Sequence, residues 1–412
     1  MMILSQTPFE LQALLSLITE YANNECYTIH PEKTTIVPFN LKSNSQKEAI
    51  KEIKPWTTNS KNIPVEDEMT HLGIRRNNTD QNAVIEDRLK LARKTLYALA
   101  GAGLHGFNGL PVKTCLKIYN AYVIPRALYG LETVKASETA KKKLNTFHKY
   151  SLRCMLGLPD WTAIPALYLL TGQLPILIQL DVKILNFIRS LMATQPARDI
   201  ILRQYCTKSK NSHSMVNLFT EKLYHYNLPS ILDIYKFKPE KKQWKKLVDE
   251  AVTKKFRKEI KEQAREYSTL KYLSHDFEKQ PHPVVQSVEN TRQVTRSVVK
   301  SMLITDTYPL LKNRKKMKKS ENDTCPLCLT KPEDIEHFLL TCPTLDDVRK
   351  KYTRMLNSML LNIPTIIGLL DSREAKKINP KINTDSLEKI SKDYIFALHI
   401  RRTEVMRSNE KT

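Results

Sequence analysis

The stretch RLKLARKTLYALAGAGLHGFNGLPVKTCLKIYNAYVIPRALYGLE, Arg88–Glu132, sets the character of the chain. Ile85, Leu89, Ala92, Leu96 and Leu99 recur at three- and four-residue spacing, the single apolar stripe of an amphipathic helix. That stripe runs into GAGLHG, Gly101–Gly106, which matches the pattern GxGxxG. A dinucleotide site needs a strand before the first glycine and a helix opening at the third, so that phosphate meets the helix N-terminus. Here a helix precedes the glycines and the next begins only near Pro111. They read as a helix C-cap and a loose turn between two helices.

Working outward, helical patterns follow at Val112–Tyr129, Ser137–Met155, Ala163–Leu170 and Ile176–Met192, which would pack as a bundle with short connections. Lys236–Arg265 is also predicted helical and strongly basic, with Trp244, Leu247, Val248 and Ile260 as its apolar contacts. It could serve as a binding surface or as a solvated helix face. Toward the N-terminus, Met1–Leu4 is an unbroken apolar run, the pattern of a strand whose neighbours lie upstream. Thr7, Pro8 and Glu10 form a helix-start signal, and Leu11, Leu14, Leu15 and Ile18 continue it at helical spacing. Cys26–Phe39 suggests two short strands around a turn at His30-Pro31; a polar linker from Leu41 to about Asp67 and the segment HLGI, His71–Ile74, come next. The expected fold is mainly α with a small α+β segment at the N-terminus, divided at 1–78, 79–200, 201–320, 321–345 and 346–412.

Among 412 residues, 66 Lys and Arg face 43 Asp and Glu, a formal net charge of +23. Such a surface favours a polyanionic partner, of which nucleic acid is the commonest. An anionic membrane is poorly supported: the most apolar stretch, Trp161–Leu180, is interrupted by Pro165, Gly172, Gln173 and Pro175. The apolar start has no basic residues ahead of it and is not a signal peptide. An intracellular protein is expected, with nucleus and cytoplasm both open.

Of seven cysteines, Cys26, Cys115, Cys154 and Cys206 are scattered and read as small core residues. The remaining three cluster in CPLCLTKPEDIEHFLLTC, where Cys325, Cys328, His337 and Cys342 have the spacing C-x2-C-x8-H-x4-C. The close pair places two thiolates on one ion. His337 and Cys342 can complete a tetrahedron if the helix bends or ends near Cys342, and Pro343 favours an ending there. Four such ligands with no open position indicate structural Zn2+; the alternative is three reduced cysteines beside a chance histidine. Glu333, Asp334 and Glu336 are candidates to orient His337 from behind. Immediately before lies LKNRKKMKKS, whose Lys312, Arg314, Lys315, Lys316, Lys318 and Lys319 suit phosphate contacts, a nuclear-import signal or a solvated linker. There is no catalytic carboxylate cluster: Asp249-Glu250 and Asp346-Asp347 sit in Lys-rich helical surroundings, as salt-bridging surface does.

Taken in order, these segments resemble the C-terminal part of the reverse transcriptases of non-long-terminal-repeat (LINE-type) retrotransposons. Ile3–Phe39 is similar to the stretch just after the catalytic Y-A-D-D, YTIHPEKT resembles the next palm motif with Lys33 at its lysine, and HLGI resembles the primer grip, with His71 where the family usually has tyrosine. Arg88–Glu132 resembles the thumb, CPLC through Cys342 the zinc knuckle, and ISKDYIFALHIRR the closing helix. The resemblance implies a palm remnant, a helical thumb, a basic helical connector and a zinc knuckle that hold template-primer RNA and DNA, with His71, Leu72 and Gly73 at the grip. It also implies that the aspartates holding two Mg2+ ions for polymerisation would lie before Met1, in an upstream reverse transcriptase segment that an intact polymerase would require. On this basis no polymerase activity is expected of the chain by itself. A standalone nucleic-acid-binding protein and a helical protein-interaction module are the alternatives.

Overall fold

The computed structural model describes residues 2–38, 56–58, 61–77, 82–207, 214–288, 290–360 and 364–409. The chain forms two compact units, Met1–Asp87 and Arg88–Thr412. The division falls inside the expected segment 79–200, and the segments 201–320, 321–345 and 346–412 lie within the second unit.

In the N-terminal unit, helix α1 (Pro8–Asn24) begins as its sequence dictates. Thr7 accepts a hydrogen bond from the Glu10 N–H (3.2 Å), and the Glu10 carboxylate accepts from the N–H of Gln6 (2.8 Å), one residue earlier than a standard capping box. Strands β1 (Thr57–Thr58) and β2 (Lys61–Asn62) pair antiparallel, as do β3 (Glu68–His71) and β4 (Ile74–Asn77). A small core of Leu15, Trp56 and Ile63 gathers Ile3, Leu11, Ile36 and Val65 around it. Two strand expectations are corrected here. Met2–Leu4 is not a strand, and Ile3 contributes to this core as a single side chain. Cys26–Pro38 forms no pair of strands: Pro31–Lys33 is a 3-10 turn, because the fixed proline φ suits a helical first turn, and only Ile36 makes a bridge, to Val65. Most of the expected polar linker falls on residues 39–55, outside the described residues.

The second unit is helical. Helix α2 (Ala83–Gly101), which begins in the first unit and runs into the second, carries the stripe read from sequence, with Ile85, Leu89, Ala92 and Leu96 buried. Helix α3 (Val112–Ile118), a π turn (Tyr119–Val123) and helix α4 (Ile124–Leu128) form one run that absorbs Pro125. The helical elements then continue as α5 (Glu138–Leu156), α6 (Ile164–Thr171), α7 (Ile176–Ala193) and α8 (Gln195–Cys206). Next come α9 (Met215–His225), α10 (Ile231–Phe237), α11 (Lys241–Arg265), α12 (Pro283–Gln286) and α13 (Thr291–Ile304). The last five are α14 (Leu311–Lys316), α15 (Asp346–Met359), α16 (Thr365–Leu370), α17 (Ser372–Ile378) and α18 (Thr384–Asn409).

The glycine run between α2 and α3 is a tight packing device. Gly103 adopts φ +99°. A Cβ on Gly106 would lie 2.2 Å from the backbone nitrogen of Gly157, so two backbones touch here and neither glycine admits a side chain. With a helix ahead of it and no strand, GAGLHG is not a dinucleotide fingerprint.

Helix α6 is buried from Pro165 to Thr171, as an all-apolar helix must be. Helix α7 packs against α5, α8, α9 and α11. The predicted helix at Lys236–Arg265 is interrupted at Lys238–Glu240, where Lys238 turns left-handed (φ +42°) ahead of Pro239. From there α11 buries Trp244, Val248, Val252, Phe256 and Ile260 at four-residue spacing, while Leu247 lies exposed. The Trp244 indole N–H donates to the Leu185 carbonyl (3.0 Å), and Phe256 makes edge contacts with Tyr168 and Phe277. Among the scattered cysteines only Cys115 is fully buried; Cys26 and Cys206 are exposed.

Charged groups also enter the core. Lys300 and Glu388 are both fully buried and pair at 2.8 Å, with Ser391 and Ser372 completing their hydrogen bonds. Asp371 caps α17, accepts the N–H groups of Arg373 and Ser274, and pairs with buried His282 at 3.0 Å. Although burial opposes ionisation, the His282 pairing and these N–H donors hold the Asp371 carboxyl well below its ordinary range.

His148, fully buried between the rings of Tyr119 and Tyr168, has its pKa pushed down to about 4 by burial. The folded state therefore binds fewer protons than the unfolded state between about pH 4 and 6.5, and stability falls as pH drops through that window. We expect His148→Asn to weaken the fold yet flatten this part of the stability–pH curve, removing an increment on the order of 3 kcal/mol. Parallel denaturant melts of both proteins across the window check it; equal slopes would refute it.

Candidate metal centre

The Cys-Pro-Leu-Cys turn is built by a short two-stranded closure. Thr324 bridges Pro332 antiparallel, the Cys325 N–H donates to Lys331 (2.7 Å) and the Glu333 N–H to Asp323 (2.7 Å). Leu329, at φ +57°, reverses the chain so that its own N–H returns to the Cys325 carbonyl. Pro326 and Leu327 thus separate two sulfurs that face the same side.

The other two ligands come from a π turn, His337–Thr341. In an α-helix, residues five apart lie about 140° from each other around the axis. The π turn closes i→i+5 instead, and the Cys342 N–H donates to the His337 carbonyl at 2.8 Å. Cys342 returns over His337, and the helix ends there in extended backbone before Pro343. The bend expected near Cys342 is therefore a change of winding.

The four ligand atoms all lie within 4.8 Å of one another. The sulfurs of Cys325 and Cys342 are 3.9 Å apart, and His337 Nε2 is 3.3 Å from the Cys328 sulfur. A tetrahedral ion with metal–sulfur bonds near 2.3 Å sets its sulfurs roughly 3.8 Å apart, so the spacing suits one four-coordinate ion. The remaining ring nitrogen, Nδ1, faces Thr341 Oγ1 at 3.1 Å, which fixes the ring with Nε2 toward the thiols. Burial pushes the Cys325 thiol up to about 12 and raises that of Cys342. Burial would raise Cys328 too, but hydrogen bonds from Thr330 and His337 outweigh it and bring that thiol down to about 6. One thiolate is thus ready near neutrality, and capture of an ion expels protons from the other two.

The acidic residues do other work than expected. Asp334 accepts the His337 backbone N–H (2.8 Å), but the ring itself is held by Thr341, a residue sequence reasoning passed over. Glu333 is buried and makes a bidentate pair with Arg402 of α18 (2.7 and 3.0 Å), while also accepting the Leu311 N–H. Phe338 stacks on Tyr308, whose hydroxyl meets His399 Nδ1 at 2.6 Å; Tyr394 donates to the Leu339 carbonyl and Arg349 to that of Cys342. The knuckle is thereby docked on α15 and α18.

The basic segment before it is largely self-paired. Lys312 meets Asp334 (2.9 Å), Lys315 meets Asp323 (3.3 Å) and Lys316 meets Asp306 (3.6 Å). Lys319 lies over the Trp161 ring. Arg314 and Lys318 are exposed and have no ion-pair partner among the described residues. In the N-terminal unit, Leu72 and Gly73 form the β3–β4 hairpin turn, both with positive φ, the type I′ pattern, and His71 is half-buried at the end of β3. Lys33 is exposed on the Pro31–Lys33 turn. A separate cavity of about 230 Å³ lies among α7, α9 and α11, walled by Leu180, Ile184, Leu218 and Phe256. Of the acids that line it, Asp181, Glu221 and Glu259, Asp181 is engaged by Tyr226 and Lys222. No helix among the described residues is long and apolar enough to cross a membrane.

We expect purified protein to carry one metal ion per chain and Cys325→Ser combined with His337→Ala to carry none, measured by elemental analysis. Stripping the ion with a chelator should lower the melting temperature of the wild type and leave the double variant unmoved. Unchanged metal content in the variant would refute the assignment.

No family model matches the chain, and no curated protein or solved structure matches it, so the metal centre rests on its own geometry.

Proposed function

We propose that this chain is a zinc-stabilised nucleic-acid-binding protein corresponding to the C-terminal part of a LINE-type reverse transcriptase. The observation that carries the proposal is the Cys325, Cys328, His337, Cys342 group, seated beside a basic segment in a chain of net charge +23. Three sulfurs and one imidazole at tetrahedral spacing suit Zn2+, and with all four positions filled by protein the ion holds structure and has no site for substrate. When bound, zinc ties the two-cysteine turn to the π turn, a link the small knuckle cannot supply from its own buried surface.

Nucleic acid is the partner class because the charge is large and much of it is exposed. Lys241, Lys242, Lys245, Lys246, Lys254 and Lys258 stand on the outer face of α11, whose inner face is packed. Arg314 and Lys318 beside the knuckle add two cations not used in ion pairs among the described residues. Three of the six cations nominated in Lys312–Lys319 are ion-paired to acids, which places the stronger expectation on Arg314, Lys318 and Lys319. The 412 residues contain no Tyr-Ala-Asp-Asp, so this chain alone is not expected to polymerise, and Mg2+ has no role in the proposal.

Binding to single-stranded RNA or DNA should weaken steeply with salt, the slope of log K against log salt being about −0.7 per neutralised phosphate. Arg314→Ala with Lys318→Ala should make that slope shallower by roughly one to two phosphates' worth. Salt-insensitive or absent binding would overturn the proposal in favour of a protein-interaction module. A primer-extension assay with Mg2+ should give no incorporation above a heat-killed control.

A further inference from the structure

The chain has three tryptophans, and their environments differ sharply: Trp56 and Trp244 are 4% and 1% exposed, whereas Trp161 is 54% exposed. Trp161 sits in the turn joining α5 to α6, and that turn is rigidly held. Gly157 ends α5 at φ +63°, against Gly106, and the Leu158 N–H returns to Arg153 (3.1 Å). Thr162 donates to the Pro159 carbonyl from its N–H (3.0 Å) and from its hydroxyl (2.7 Å). The Arg153 guanidinium then clamps the Thr162 carbonyl at 3.1 Å. An indole on such a turn presents its surface to solvent without losing conformational freedom when something stacks on it.

The indole's surroundings are cationic and polar. Lys319 lies 4.5 Å over the ring, at the end of the basic segment that carries the exposed Arg314 and Lys318. Lys319 is itself anchored, its N–H donating to the Arg314 carbonyl at 2.8 Å. Tyr150 of α5 (46% exposed) and Tyr97 of α2 (59% exposed) add two exposed rings to the same unit. Exposed aromatic faces interleaved with cations are the elements of a stacking platform for bases, whose π-faces are alike whatever the sequence. Bases inside a duplex are already stacked on each other, so only an unpaired strand can use such a platform.

We propose that Trp161 and Lys319 form a base-stacking subsite for single-stranded nucleic acid, with an unpaired base on the open surface of the indole and Lys319, Arg314 and Lys318 on the flanking phosphates. This rests on the nucleic-acid proposal above and adds to it the strand state and the contact residue. Because the other two tryptophans are buried, the solvent-accessible fraction of the tryptophan emission is that of Trp161.

The test uses the full chain with short oligo(U) and oligo(dT), followed both by tryptophan quenching and by anisotropy of a labelled oligonucleotide. Binding should quench the solvent-accessible emission. Trp161→Ala should abolish the quenching and weaken binding roughly five- to hundred-fold, while Trp161→Phe keeps most of the affinity. Lys319→Ala should make the salt slope shallower by roughly one phosphate. Trp161→Ala binding as tightly as wild type, with wild type bound, would overturn the subsite and leave the broader proposal standing. Wild type that fails to bind at all would overturn both. An equal loss by Trp161→Ala on a blunt duplex would overturn the single-strand assignment. Trp161→Phe guards against a folding artefact, since its ring replaces the exposed indole on the same turn.

Discussion

The buried pair of Glu333 and Arg402 is the constraint on which the C-terminal architecture turns. Both groups are withdrawn from water, and each would be strongly destabilising alone, by about 3–5 kcal/mol for a buried pair missing one member. Together they fasten the closing helix to the chain four residues ahead of His337, where the π turn begins. Glu333 also receives the first N–H of α14, so one carboxylate sets the knuckle, the closing helix and the basic segment in register. Arg402 further faces the Tyr308 ring, which stacks on Phe338. The metal ligands are therefore positioned by a polar contact more than sixty residues away in sequence and by an aromatic stack, before any ion is considered.

The second theme is internal neutralisation. A chain with so large an excess of cations would repel itself if those charges were uniformly spread. Instead, acids are placed against particular lysines: Asp334, Asp323 and Asp306 along the basic segment, Asp276 between Lys261 and Lys377. Exposed cations remain on the outer face of α11, and Arg314 and Lys318 have no ion-pair partner among the described residues. Surface charge here is less a property of composition than of which lysines lack a neighbour.

Much of the helical part was legible in the sequence because periodicity and caps agree there. The stripe of α2, the Ser137 cap of α5 and the Gly157 and Gly172 ends are local signals with local consequences. The ligand set was legible for the same reason, its spacing being short. The N-terminal strands were misjudged because short apolar runs do not specify their partners, and Ile3 and Ile36 found a helix and a loop residue instead. The inner face of α11 was underestimated: Val252 and Phe256 are masked by the lysines around them, and only the packing against α6 and α7 reveals the stripe. Thr341, Arg402 and the pairing of Lys319 with Trp161 depend on contacts that no spacing rule encodes.

The π turn carries a lesson in register arithmetic. Residues four apart in an α turn and five apart in a π turn both return to the same side of the helix, whereas six apart return in neither. The His337–Cys342 segment is thus one residue longer than the i,i+4 spacing of an ordinary α turn. Loss of a residue between them is expected to convert the π turn into an ordinary α turn with the ligands still on one face. The interval between the histidine and the last cysteine is therefore expected to tolerate shortening by one residue, at the cost of the π winding and not of the ligand set.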